Sequence, residues 1–206
     1  MRTRSNKWLS LLMAMAVGMV VASCGKDDNS NEPTATTPTD TPSTSEEAIE
    51  ITATGTVDLG LSVKWAATNH EAATAQQPGT YYTWNQATAL TLGDGWRLPT
   101  AAEQSELISK CVWQWTTYKD VAGYAVKGPS GKAIFLPAAG FYDGQELSGK
   151  GEYGRFWSAT LHTGDTNQAD ILRFVPNTPS YSMYPEKVYM SHRNITYRQP
   201  VRLVKQ

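Results

Sequence analysis

The stretch "YYTWNQATALTLGDGWRLPTAAEQSEL", Tyr81 to Leu107, decides the fold. It predicts two short helices joined by a turn. The first runs from Trp84 to about Thr91 and is closed by Gly93. The second starts at Thr100. Its hydroxyl can accept from the backbone of Glu103 while the Glu103 side chain reaches back, which is a capping box. Leu107, Ile108 and Cys111 then give this helix an apolar face.

Outside this stretch, short alternating apolar runs dominate. "LSVKWAAT" (Leu61 to Thr68), "YAVKG" (Tyr124 to Gly128), "KAIFLPA" (Lys132 to Ala138), "RFWSAT" (Arg155 to Thr160), "ADILRFV" (Ala169 to Val175) and "PVRLVK" (Pro200 to Lys205) read as strands. "KGPSGK" (Lys127 to Lys132) is a hairpin turn, with Pro129 and Gly131 supplying the turn geometry. It is not a phosphate loop, because Ala133 stands where Ser or Thr is needed and Gly128 is at the wrong spacing. Two short helices among many strands make an α+β domain, expected to span residues 51–206. The first and last strands both alternate and are expected to pair, which covers an otherwise open edge.

The same stretch resembles the Fibrobacter succinogenes major paralogous domain, which is similar in turn to C-type lectin-like and formylglycine-generating-enzyme-like domains. The likeness rests on the aromatic start, the helix, the Gly95 to Thr100 turn "GWRLPT" and the acidic second helix. "VDLGLSVKWAATN", "CVWQWT", "AIFLPAAG", "GEYGRFWSAT", "ADILRF" and "RQPVRLVK" follow the family's order, so the resemblance covers nearly all of residues 55–206. It implies a C-type lectin-like domain with two short helices, mostly antiparallel strands and paired termini. Two departures limit it. Gln104 follows Glu103 where such domains often carry an aromatic, and the Glu-Pro-Asn, Gln-Pro-Asp and Trp-Asn-Asp triplets of calcium-dependent lectins do not occur. Calcium-dependent sugar binding is therefore not carried over with the fold.

The N-terminus supplies an address. Arg2, Arg4 and Lys7 precede an uncharged apolar run from Trp8 to Ser23, the pattern of a signal peptide over residues 1–23. "VVASCG" resembles the lipobox of bacterial lipoproteins, which implies that Cys24 becomes the lipid-bearing first residue and that the chain is held to a membrane by its lipid. Lys26, Asp27 and Asp28 resemble the surface-export signal of Bacteroidetes lipoproteins, which implies an outer-membrane protein facing outward. The rest of residues 24–50 is rich in Thr, Ser, Pro and acids and has no aromatic, so it reads as a disordered tether. Extended, it would reach on the order of 80 Å at ~3.1 Å per residue.

The formal net charge is −1 and the mature domain carries no basic run, so no nucleic-acid partner is expected. No cofactor or metal is expected either. No Gly-x-Ser-x-Gly or His-Glu-x-x-His motif occurs, and His162, Asp165 and Asp170 in "LHTGDTNQAD" read as hairpin chemistry. Formylglycine-generating enzymes act through a pair of cysteines, whereas Cys111 stands alone at a helix end among apolar neighbours and reads as a core residue. Trp65, Trp96, Trp113, Trp115 and Trp157 are assigned to the core. Tyr142, Tyr181 and Tyr184 lie in less patterned segments and are the candidate ligand-binding residues, with core packing as the alternative at each. The expected function is non-catalytic binding of a glycan or surface protein. The alternatives are a structural or fimbria-associated envelope component and an oxidase-like enzyme, which would need a reactive thiol or a metal.

Overall fold

The computed structural model describes residues 48–206. The signal peptide, Cys24, Lys26, Asp27 and Asp28, and most of the tether, lie outside the described residues. The rest is α+β with antiparallel strand pairing. Strands β1 (Thr56–Val57), β2 (Lys64–Ala66) and β11 (Val204–Lys205) form one sheet in the order β1-β2-β11. A second contains β3 (Val112–Tyr118), β4 (Val121–Lys127) and β5 (Ala133–Pro137) in chain order. A third contains β8 (Gly154–Leu161), β9 (Gln168–Phe174) and β10 (Val188–Asn194), again in chain order. A hairpin of β6 (Phe141–Asp143) and β7 (Glu146–Ser148) stands beside them.

The β8-β9-β10 sheet is apolar on both faces, because successive residues of a strand point to opposite sides. Phe156, Leu172 and Phe174 face a large cluster that also takes Val57, Trp65, Leu107, Tyr124, Ile134 and Val204. Trp157, Ala169 and Ile171 face a second cluster with Ala87, Leu98, Val201 and Leu203. Trp65 and Trp157 are buried, while Trp96, Trp113 and Trp115 are half-buried and pack against these clusters, so all five belong to the core.

Both helices are fixed at their starts by capping boxes. Thr83 and Gln86 cap α1 (Trp84–Thr88), and Thr100 and Glu103 cap α2 (Ala101–Lys110). α1 stops short of the expected Thr91. The Thr88 hydroxyl donates to the carbonyls of Trp84 and Asn85, and the chain then turns through Asp94 and Gly95, both at positive φ. In the turn before α2, Arg97 donates from both terminal nitrogens to the Glu103 carboxylate at 2.8 and 2.6 Å. The same carboxylate accepts from the Thr100 amide at 2.8 Å. Arg97 holds the Glu103 carboxyl below its ordinary pKa, and Glu103 raises that of Arg97. One carboxylate thus closes the turn and caps the helix.

A bulge in β8 between Trp157 and Leu161 joins this turn to the sheet. The groups it releases from the ladder are taken up locally. The Ala159 amide donates to Pro99 O at 2.7 Å, and the Ala101 amide donates to the Thr160 hydroxyl at 3.0 Å. The Trp84 indole donates to Ser158 O at 2.9 Å. Gln104, next to the capping Glu103, is 1% exposed and donates to the carbonyls of Phe156 and Trp157. One buried amide nitrogen thus serves two strand carbonyls at the bulge.

The strand read as the first is preceded by β1 and is β2; it pairs with the last strand as expected, with Val204 opposite Trp65 and Lys205 opposite Lys64. Both strands are shorter than their sequence patterns: β2 keeps three residues and β11 two. Beyond β11's ladder, Leu203 O and Val201 O still accept from the Ala66 and His70 amides at 2.9 Å, and Arg202 adds its side chain. Its side chain is 1% exposed and donates to Asn69 Oδ1 (2.9 Å), Ala66 O (3.0 Å), Ala67 O (2.9 Å) and Phe135 O (2.8 Å). Burial pushes its pKa down to about 9, which leaves it charged at neutral pH.

Arg202→Met should destabilise the domain by at least about 3 kcal/mol, since four acceptors lose a charged donor and bonds to charged groups are worth about 1.5–3 kcal/mol each. Arg97→Met removes a half-exposed pair and should cost about 1 kcal/mol. Urea unfolding of the two variants should separate them clearly, and equal losses would show that Arg202 holds nothing special.

Candidate functional site

Register places three cations on one face of the β8-β9-β10 sheet. Arg155 in β8 stands opposite Arg173 in β9, which stands opposite Tyr189 in β10. Residues directly opposite in an antiparallel pair share a face. Arg193, four residues beyond Tyr189, shares it too. Further along, the same face carries Trp157, Ile171 and Ala169 into the second core cluster. One face therefore carries Arg155 and Arg173 on one rung, then the apolar Trp157–Ile171 rung, then Arg193 opposite Ala169, with the Arg193 guanidinium reaching back to Ser191.

Aromatic rings surround the row. The Arg155 guanidinium lies 3.5 Å from the Phe141 ring centroid and 5.5 Å from that of Tyr153. Arg173 lies 5.4 Å from Tyr184, 5.5 Å from Tyr189 and 6.0 Å from Tyr153. Tyr153 is seated by close approach to Gly149, at φ +68°, where any Cβ would fall 2.0 Å from the ring. Phe141 is held between Tyr153 and Tyr197, at 6.1 and 5.5 Å.

The arginines are cationic and ill-matched to their surroundings. Arg155 is 7% exposed, and among the described residues neither its Nε nor that of Arg173 has an acceptor. Arg193 donates to the Ser191 hydroxyl and the His192 carbonyl, both neutral. The ion pairs among the described residues are Arg97–Glu103, Lys110–Glu106 and His162–Asp170, and none reaches this row. Burial, then the charges of Arg193 and Arg173, push the Arg155 pKa down to about 10. Burial and Arg173 lower that of Arg193 as well. Cation–π contacts are worth up to about 2 kcal/mol each when desolvated, whereas burying an ion costs several kcal/mol. The rings offset only part of that cost.

Tyr181 and Tyr184 come together at this row, with ring centroids 6.3 Å apart. They lie on the loop between β9 and β10, which makes a single 3-10 turn at Pro179–Tyr181. Lys187 pins the loop by donating to the carbonyls of Tyr181 (2.7 Å) and Tyr184 (2.6 Å). The Tyr181 hydroxyl donates to Glu152 at 3.3 Å, and Met183 between the two tyrosines is 75% exposed. Tyr142 belongs to a separate group. It bonds Arg198 through the backbone in both directions, lies under the Arg198 guanidinium at 4.5 Å and meets Tyr81 edge-on at 5.0 Å. The three tyrosines are therefore not one site, because Tyr142 pairs with the C-terminal segment while the other two ride on the β9–β10 loop. The arginines were missed in the sequence. Each sits alone in its own strand, in "GRFW", "ILRF" and "SHRN", and only the cross-strand register assembles them.

Of the groups considered for metal, His162 bonds Asp170 at 2.8 Å and stacks on His192 at 3.9 Å. Asp165 instead closes its own turn, accepting from Asn167 and Gln168. Among the described residues no three His, Cys, Asp or Glu side chains gather as metal ligands.

Cys111 follows α2 and packs against the large cluster, half-buried. Burial first, then the Glu106 charge, raises its thiol to about 11 from 9.0. At pH 8 its thiolate fraction should then be about a hundredfold below that of the unfolded chain, one factor of ten for each step in pKa. Alkylation followed on the Cys111 peptide by mass spectrometry should be slow in the native protein and fast in denaturant. A native rate equal to or above the denatured one would refute the buried, raised-pKa thiol, and a faster native rate would identify an activated one.

The geometry thus sets two tyrosines and an exposed methionine beside three cations that have no carboxylate partner among the described residues. Set against protein-family models, curated proteins and solved structures, the chain gives no match.

Proposed function

We propose that this chain is a non-catalytic binding module of C-type lectin-like fold, held to the outer membrane through lipid on Cys24 and displayed outward. The observation that carries the binding reading is the arginine and tyrosine row on the β8-β9-β10 sheet. Its groups suit recognition. Guanidinium stays protonated and cannot serve as a general acid or base near neutral pH, and the tyrosines offer broad faces with polar edges. The rigid sheet fixes the arginines, and the loop above brings the rings. The paired ends, the two capped helices and the turn from Gly95 to Thr100 support the lectin-like reading of the fold.

The anchor rests on the residues around Cys24. Cys24→Ala should abolish incorporation of labelled lipid in a bacterial host, and retained labelling would sink the lipoprotein reading. Replacing Lys26, Asp27 and Asp28 together by Ala should leave lipidation intact and remove protease accessibility in whole cells. Unchanged shaving would refute the export signal alone. For the binding reading, the full chain is displayed against glycan and surface-protein arrays. A defined ligand retained by the isolated chain supports a module. Retention only as part of a co-purifying assembly would replace it with an envelope component.

A further inference from the structure

We infer that Arg155, Arg173 and Arg193, with the Tyr184 ring beside them, form a site for the anionic group of an acidic saccharide. The inference rests on the binding-module reading above and names its ligand chemistry: a sulfate or carboxylate carried on a sugar.

Three lines converge. The first is unbalanced charge. Three guanidinium groups share one face, and among the described residues no carboxylate pairs with them. Two charged groups beside the row are already engaged. The Lys187 ammonium is held by the carbonyls of Tyr181 and Tyr184, and the Glu152 carboxylate meets the Tyr181 hydroxyl. Like charges are normally spread apart or interleaved with acids, so such a row is stable when an anion completes it.

The second line is unused donor capacity. Arg155 is 7% exposed and its Nε lacks an acceptor, and the Arg173 Nε is likewise buried and free. Arg155 lies deepest, stacked on Phe141, and acts by its field. Arg173 and Arg193 are half-buried and are the contacting donors. A guanidinium presents a planar fork that matches two oxygens of a carboxylate or sulfate.

The third line is the aromatic wall. Tyr184 and Tyr189 flank Arg173 at 5.4 and 5.5 Å. A pyranose ring presents an apolar C–H face to an aromatic ring and its charged substituent to the neighbouring cation. The row supplies both surfaces within one sugar's reach. An acidic peptide would use the arginines but gains nothing specific from the flat ring beside them.

The test uses the full chain with five probes: dextran sulfate, alginate as a carboxylated polysaccharide, unsulfated dextran, polyglutamate, and a neutral-glycan and protein array. One or both acidic polysaccharides should bind, and which one tells sulfate from carboxylate; dextran should not bind. Arg173→Gln and Arg193→Gln should each weaken binding about tenfold or more, the loss expected for one charge-assisted bond. Tyr184→Ala should weaken the polysaccharide several-fold, while Lys127→Gln, on an exposed lysine at the end of β4, should leave it little changed. Thermal melts report folding. Should a Gln variant unfold, Arg173→Lys, which keeps charge and loses the fork, takes its place with the same expected direction. Absence of binding to both acidic polysaccharides overturns the inference, as does equal weakening by Lys127→Gln, which signals diffuse charge. Polyglutamate binding as tightly, with Tyr184→Ala without effect, overturns it in favour of an acidic peptide. A neutral glycan or protein held equally by wild type and Arg173→Gln refutes the anionic site while leaving the binding module standing.

Discussion

The buried Arg202 guanidinium ties together segments that are far apart in the chain. It reaches from the C-terminal segment to the carbonyls after β2 and to Phe135 on the outer edge of β5. That edge would otherwise end in unpaired carbonyls under the core. The Thr52 amide takes Ala133 O and Arg202 takes Phe135 O, so the strand is closed without another strand. The constraint reaches further, because Val201 and Leu203 enter one apolar cluster while Val204 enters the other. Placing Arg202 therefore places the residues that separate the two halves of the core. A lysine could not do this, since one ammonium cannot serve four acceptors lying along a planar fork.

Arg202 and Arg155 show two fates of the same side chain. Both are more than nine-tenths buried and both have lowered pKa values, about 9 and about 10. Arg202 is lowered by burial alone and is surrounded by acceptors. Arg155 is lowered by burial and by two further arginines, and its main contact is the face of a phenyl ring. The low dielectric that strengthens a satisfied bond also magnifies an unsatisfied one. A structural role accounts for the first arrangement in full. It leaves the second with a residue of uncompensated charge, and such local departures from an otherwise consistent fold are where function is normally found.

How much of this was legible in the sequence follows from how local each feature is. The capping box at Thr100 and Glu103, the hairpin turn at Lys127 to Lys132 and the central parts of β4, β5, β8 and β9 involve residues close in the chain, and they were read from it. The α1 capping box was equally local and was overlooked, because Gln86 follows Thr83 inside a stretch read mainly for its aromatics. β3 and β10 escaped for a different reason. "VWQWTTY" and "VYMSHRN" are half-buried along almost their whole length, so they lack clean alternation, and both are edge strands of their sheets. The ends of β2 and β11 were overextended because their alternation continues where the regular ladder gives way to single backbone bonds, Ala66 to Leu203 and His70 to Val201, and to the Arg202 side chain.

The candidate site was the least legible part, and register explains why. A lone arginine in a strand reads as a solvent-facing residue, and each of Arg155, Arg173 and Arg193 looks ordinary in its own segment. Sheet pairing over 18 to 38 positions of chain, the differences of their residue numbers, brings them onto one face where no motif does. The β9–β10 loop adds Tyr184 to that row only because Lys187 folds the loop back by its two carbonyl contacts. The fold thus concentrates charge that the sequence disperses. A strongly charged ligand can then be recognised by a domain whose net charge is close to zero, because the field that matters is set by the few groups sharing a face and not by the total.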